Sequence, residues 1–202
     1  MGGLTTPLLR QGMLRIVAEL ERRADELNAL DAILGDGDLG VSLVRGARSV
    51  TVVLPELPDD DLGRALALCA RAITSISGST FGTLLAAGML SAAKRCNSRR
   101  EVPWSEFPLL LEDFGDAIAK RGKCQLGDKT LLDSVQAASV SIRGMDDPIA
   151  MLNNAEVAVE DAVEGLRHQA SRQGRARMFP DRSIGTPDPG MVAFSHILRA
   201  LR

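Results

Sequence analysis

Along most of this chain apolar residues return every three or four positions, the spacing that lays a single stripe along a helix, while period-2 alternation of β-branched residues is scarcely seen. The pattern predicts an all-α protein. The first amphipathic stretch runs from about Leu8 to Leu27, with Leu9, Met13, Ile16, Val17 and Leu20 on one stripe. The second, about Leu39 to Val53, carries Leu43, Val44, Ala47 and Val50, and Leu54 with Pro55 and Pro58 ends it. The third runs from Asp61 to Ser75. The fourth, Thr80 to Cys96, is rich in small residues such as Ala86, Ala87, Gly88, Ala92 and Ala93, a face that permits close helix approach and suits a hollow interior. The fifth follows Pro103, shows Phe107, Leu110, Leu111, Phe114 and Ile118, and stops at the basic turn from Lys120 to Lys123, where Gly122 fits the stop. The sixth, Asp128 to Ile142, opens on acidic and hydroxyl residues; the seventh, about Pro148 to Arg172, opens on Asp146, Asp147 and a first-turn proline. The eighth runs from Pro189 to the end of the sequence.

Eight helices joined by mostly short connections predict an antiparallel up-and-down bundle or barrel, one domain over residues 1–202. That topology sorts the connections between two ends. Leu54 to Asp60, Asn97 to Pro103 and Arg143 to Pro148 share one end and are plain punctuation. The other end gathers four unusual segments: Asp31 to Gly40, Ser75 to Ser79, Arg121 to Thr130, and Gly174 to Gly190. The candidate site lies there.

Composition narrows the chemistry. The chain has 45% apolar and 25% charged residues and a formal net charge of −2, as a globular domain does. Aromatics make up 3%, with no Tyr and one Trp, too few for a base-stacking platform, and the near-neutral balance disfavours a nucleic-acid backbone binder. Cys69, Cys96 and Cys124 are too scattered for a disulfide framework or a thiolate zinc site and read as small buried hydrophobes. No apolar run is long enough for a membrane span, and no signal-peptide pattern opens the chain. A cytoplasmic location is expected.

Asp31, Asp36 and Asp38, interleaved with Gly35 and Gly37, crowd three carboxylates whose repulsion a cation relieves; oxygen-only ligands suit Mg²⁺ or Ca²⁺. The alternative is that Asp36 and Asp38 cap a helix while Asp31 is a solvated turn residue. Gly40-Val41-Ser42 and Ser77-Gly78-Ser79-Thr80 open helices, so their backbone N–H groups and hydroxyls suit phosphate oxygens, or else are ordinary caps. Neither the GxxxxGK[ST] loop nor a GxGxxG turn after a strand occurs. Arg121, Lys123, Lys129, Arg172, Arg175, Arg177 and Arg182 place positive charge at the same end, as phosphate ligands or as a solvated basic rim. His168 falls late in the seventh helix and His196 on the eighth, without a paired carboxylate and serine, so a His-based triad is not expected.

Four motifs in order resemble those of the dihydroxyacetone kinase L subunit, the DAK2-type nucleotide-binding subunit or domain of such kinases. They are Leu30 to Asp38 with Gly40; Ser77-Gly78 followed by Phe81-Gly82-Thr83; Gly127 to Asp133; and Gly174-Arg-Ala176 continuing through Arg182 to Gly185 and Asp188-Pro189-Gly190. The resemblance spans nearly the whole chain and implies an eight-helix antiparallel barrel. It further implies that Asp31, Asp36 and Asp38 hold two Mg²⁺ ions on the phosphates of ADP or ATP. Leu39, Gly40, Val41, Ser42, Ile76 and Ser77 would support those phosphates, and Gly122, Leu131, Arg175, Asp188, Pro189 and Gly190 would surround the rest of the nucleotide. The implied reaction is phosphoryl transfer to dihydroxyacetone or a related short keto-sugar held by a K-type partner subunit, with no covalent nucleophile on this chain. A phosphotransferase-system donor protein and a homodimer are further partners that it admits. The family usually has His where Leu39 stands and often Asn where Ser42 stands, and its second loop is glycine-rich where this chain has Thr74-Ser-Ile-Ser. Backbone contacts survive such changes; side-chain contacts to phosphate do not. Two other classes fit the same residues: a non-catalytic nucleotide-sensing partner of a transcription regulator, and a bundle that holds a lipid or apolar ligand inside.

Overall fold

The stripes fold into α1 (Thr6–Leu34), α2 (Leu39–Val53), α3 (Leu62–Ile76), α4 (Thr80–Arg95), α5 (Phe107–Gly122), α6 (Leu131–Ser141), α7 (Pro148–Gly165), the one-turn α8 (Pro180–Ser183) and α9 (Pro189–Arg199). The computed structural model describes residues 2–76 and 78–202, with Ile76 in its backbone alone. Each long helix packs on the next in sequence, and α9 packs on both α7 and α1, so the ring closes. The all-α barrel expected from the spacing is the fold, with α8 added inside its last long connection.

Several boundaries move, each for a local reason. α1 continues beyond Leu27 to Leu34, because Leu27 and Leu34 stand two turns apart on the buried face and nothing breaks the helix before Gly35. Asp31 therefore belongs to the last turn of α1 rather than to a loop. α6 begins at Leu131, not Asp128: Lys129 takes a left-handed φ of 63°, and Thr130 caps the helix in a reciprocal box with Asp133. α7 ends at Gly165, leaving His168 in a turn beyond it. A short ladder that period-2 spacing was too brief to announce joins β1 (Gly3–Thr5) to β2 (Glu101–Pro103), antiparallel, with Leu4 opposite Val102.

This ladder lies at the plain end of the barrel. There the Arg10 guanidinium donates to the carbonyls of Leu54 (2.9 Å) and Leu57 and pairs with Asp59 at 2.6 Å. At the other end the third and fourth unusual segments meet each other and the start of α4. Arg172 N donates to Asp128 O at 3.1 Å, Gln173 Nε2 to Lys123 O at 3.0 Å, and Gly190 lies against the Phe81 ring. The sorting of connections by topology holds.

Inside the ring is a cavity of about 970 Å³, lined by Leu20, Leu43, Met89, Phe107, Phe114 and Phe194 among others, with Gly82 and Ala92 of the small-residue face of α4 on its wall. Close helix crossings rest on glycine elsewhere. A Cβ on Gly63 would lie 2.5 Å from Ala93 O and 2.7 Å from Asn97 N, and one on Gly88 would strike the Phe114 ring at 2.6 Å. Backbone cannot move aside as a side chain can, so Gly63→Ala is expected to cost about 1–3 kcal/mol and lower the melting temperature by several degrees. A thermal melt by circular dichroism, with helicity retained before the transition, checks it.

Candidate metal and nucleotide site

The end of α1 and the start of α2 form one hydrogen-bonded corner. Asp31 Oδ2 accepts from the backbone N–H groups of Asp38 (3.1 Å) and Leu39 (3.3 Å), and Gly37, at φ 74°, makes the turn between them. Asn28 Oδ1 accepts from Val41 N at 3.2 Å. The N-terminus of α2 is thus capped from α1, by Asp31 and by Asn28, a residue that the sequence reading missed because the cap crosses between helices. Asp38 stands at the N-cap position but makes no side-chain cap, so its carboxylate is not consumed there.

One carboxylate oxygen from each of Asp31, Asp36 and Asp38 lies within 4.8 Å of the others. Three hard oxygen donors at this separation fit a divalent cation such as Mg²⁺. Asp36 is also paired with Arg175, which reaches over from the α7–α9 connection. That guanidinium holds the Asp36 carboxyl below the usual carboxylate range, chiefly by hydrogen bonding, so it stays ionised.

Gly40 and Ser42 follow on α2, with Gly40 so close to Ala24 of α1 that no side chain fits there. On α4, Ser79 caps the helix by accepting from Gly82 N at 3.0 Å, the ordinary-cap reading of that serine. Ile76 ends α3, and Ser77 lies outside the described residues. Gly122 closes α5 next to Cys124 and Leu84. Leu131 is 2% exposed with its side chain in the core, so only its main chain can face a ligand.

The fourth segment supplies Arg175, Asp188, Pro189 and Gly190. Asp188 caps α9 by accepting from Met191 N at 2.9 Å. Burial pushes its carboxyl up to about 6, although N–H bonds from Met191 and Gly190 and the charge of Lys129 pull the other way.

The basic residues divide. Arg121, Lys123, Arg172 and Arg177 are exposed, as a solvated rim is; Arg182 lies over the Phe179 ring, 5.2 Å from its centroid. Lys129 departs from the rim reading altogether: it is 1% exposed, and its ammonium donates to three main-chain carbonyls. Away from this end, His196 on α9 does approach a carboxylate, with Nε2 3.3 Å from Glu26 Oε1, but burial lowers its pKa and neither ring nitrogen makes a hydrogen bond. The thiols of Cys69 and Cys96 are buried and pushed up to about 11, as inert core groups are.

The chain is similar to known proteins. The chain is 29% identical to the ADP-binding subunit DhaL of the PEP-dependent dihydroxyacetone kinase of Escherichia coli, over 88% of this chain and 87% of the relative. It is 31% identical to the human triokinase/FMN cyclase, over 99% of this chain but 35% of that longer enzyme. The native crystal structure of the dihydroxyacetone kinase of C. freundii superposes with a TM-score of 0.72 at 25% identity, covering 96% of this chain and 34% of that one. The model of the DAK2 domain matches residues 33–202, which takes in three of the four site segments whole and all of the first but its opening residues. With the helical barrel and the acidic corner in place, the match makes this chain a member of the DAK2 domain family.

Proposed function

We propose that this chain binds ADP or ATP together with Mg²⁺ and is the nucleotide-binding half of a dihydroxyacetone-type kinase. The phosphoryl group would pass to dihydroxyacetone or a related short keto-sugar held on a separate K-type subunit. The observation that carries the reading is the convergence of Asp31, Asp36 and Asp38 within 4.8 Å, beside the start of α2 and under the reach of Arg175. Asp31, Asp36 and Asp38 would hold two Mg²⁺ ions, which would supply the charge neutralisation that phosphoryl transfer requires.

The residues of this chain do the positioning. Asp31 is oriented for a metal by the amides of Asp38 and Leu39. Arg175 is the counter-charge to Asp36, exposed enough to turn to a phosphate when a cation takes its place. Gly40, Val41 and Ser42 at the start of α2, and the end of α3 at Ile76, would flank the phosphates. Gly122, Leu131 and Asp188 to Gly190 border the rest of the nucleotide. Protons and nucleophiles are left to the partner. The similarity to a PEP-dependent subunit along most of its length favours a resident ADP, recharged by a phosphotransferase-system donor, over freely exchanging ATP.

The apolar cavity of about 970 Å³ is the observation that favours the second reading, an apolar ligand inside the barrel. Native mass spectrometry of freshly purified protein separates the two: a nucleotide mass that leaves with EDTA supports the kinase subunit, and a lipid mass that persists supports the carrier.

Thermal stability with ADP or ATP, each with Mg²⁺ or EDTA, tests the main reading. Ligand at 100 times its dissociation constant adds about 2.7 kcal/mol, several degrees for a domain of this size. The shift is expected only with Mg²⁺ present and is expected to vanish in Asp36→Ala with helicity unchanged. An equal shift in that variant would remove Asp36 from the metal site.

Asp188 predicts an opposition between stability and binding. Its carboxyl titrates higher in the folded chain than in the unfolded one, so the folded state loses stability as pH rises from about 4 to 6 and carries the whole penalty above 6. Asp188→Asn keeps an N-cap acceptor without the charge. It is expected to be more stable than the wild type at pH 8 by about 1–3 kcal/mol, with the gap closing toward pH 4, yet to bind Mg·ADP more weakly. Denaturant melts at the two pH values check it.

A further inference from the structure

Lys129 is the largest fully buried side chain among the described residues, and Asp188 is the carboxylate whose charge acts on it. Burying an ammonium is costly, and an apolar residue of similar size often serves stability as well or better. What a methyl group could not do is collect acceptors. Nζ donates to Arg167 O (3.0 Å), Gln169 O (2.9 Å) and Ser183 O (2.6 Å). The first two carbonyls belong to the outgoing stem of the α7–α9 segment and the third to its returning stem. Lys129 reaches them from a left-handed backbone position, φ 63°, which L residues adopt only under constraint. The same junction is stitched by Ser171 N on Ser183 Oγ (2.9 Å), Gly185 N on Arg167 O (2.9 Å) and Arg172 N on Asp128 O (3.1 Å). Beyond these stems Arg175, Met178 and Phe179 are exposed while Ala176 is buried, and the ion pair with Asp36 is the tie that Arg175 makes to the acidic corner.

We propose that Lys129 is a positioning residue for the nucleotide, acting through Arg175: its buried ammonium clamps both stems of the α7–α9 segment, so that the tip delivers Arg175 to the acidic corner. The proposal rests on the nucleotide reading above and adds to it a residue that never touches the ligand. A clamp made to main-chain carbonyls fixes the path of the segment, and the path decides where the guanidinium can reach.

The test is a double-mutant cycle in the full chain with Lys129→Met and Arg175→Ala, reading the Kd of Mg·ADP by calorimetry and amide exchange by mass spectrometry. Lys129→Met is expected to weaken Mg·ADP at least tenfold and to speed exchange across residues 166–188, with exchange in α1 to α5 unchanged. In the Arg175→Ala background the same change is expected to alter Kd by less than threefold, because the residue it serves is gone. Wild-type affinity in Lys129→Met, or a tenfold loss that persists without Arg175, overturns the proposal. Should Lys129→Met not fold, Lys129→Gln takes its place in the cycle. Exchange in the wild type also decides: stems 166–171 and 183–188 must be slower than the tip 174–182, and equal rates overturn the clamp. Absence of Mg·ADP binding in the wild type would instead fail the site reading, and exchange in the variant would still show whether Lys129 holds the segment.

Discussion

The packing of α9 against α1 is the contact on which the rest of this structure depends. A row of antiparallel helices leaves an apolar flank open at each edge, and closing the row into a ring covers both at once. Leu20 and Leu27 of α1 and Ala193, Phe194 and Leu198 of α9 are buried in one continuous cluster for that reason. Closure also has a chemical result: the first and last unusual segments, remote in sequence, become neighbours, and Arg175 can reach Asp36. An open bundle with the same helices would hold the carboxylates and the guanidinium apart.

Two charge arrangements then divide the work at that end. The acidic corner gathers three carboxylates with one guanidinium, leaving net negative charge. The junction below it does the opposite and surrounds a single cation with dipoles. Asp128 belongs to this junction too: it is buried, and its Oδ2 accepts from Gln125 N at 2.9 Å and from Gln173 Nε2 at 3.3 Å. The corner leaves its charges at the surface, whereas the junction buries its own.

The parts of this arrangement that were legible in the sequence are those written in spacing. Stripes at helical period located the eight long helices, and short connections sorted the segments between the ends, because both depend on neighbours along the chain. The acidic triplet was visible for the same reason. What was hidden depends on residues far apart. Asp31 looked like a loop residue because Asp and Gly crowd after it, yet the burial of Leu34 carries the helix past it. Asn28 gave no sign of capping α2, and Glu26 none of lying beside His196, since each meets its partner only across a helix pair. Lys129 was grouped with a solvated rim, for a sequence displays the charge of a lysine but not the carbonyls that will surround it. The strands β1 and β2 were three residues each, too short for alternation to register.

The hollow interior has a consequence of another kind. The cavity of about 970 Å³, which opens to the surface beside Leu8, Arg15 and Ile149, is room that the helices leave between them. Hydrostatic pressure favours whichever state occupies less space, and the volume lost on unfolding scales with the voids eliminated. Any part of this space that stays dry makes the barrel softer to compression than a filled bundle of equal length. Whatever enters the cavity, water or an apolar molecule, makes it stiffer without touching the acidic corner.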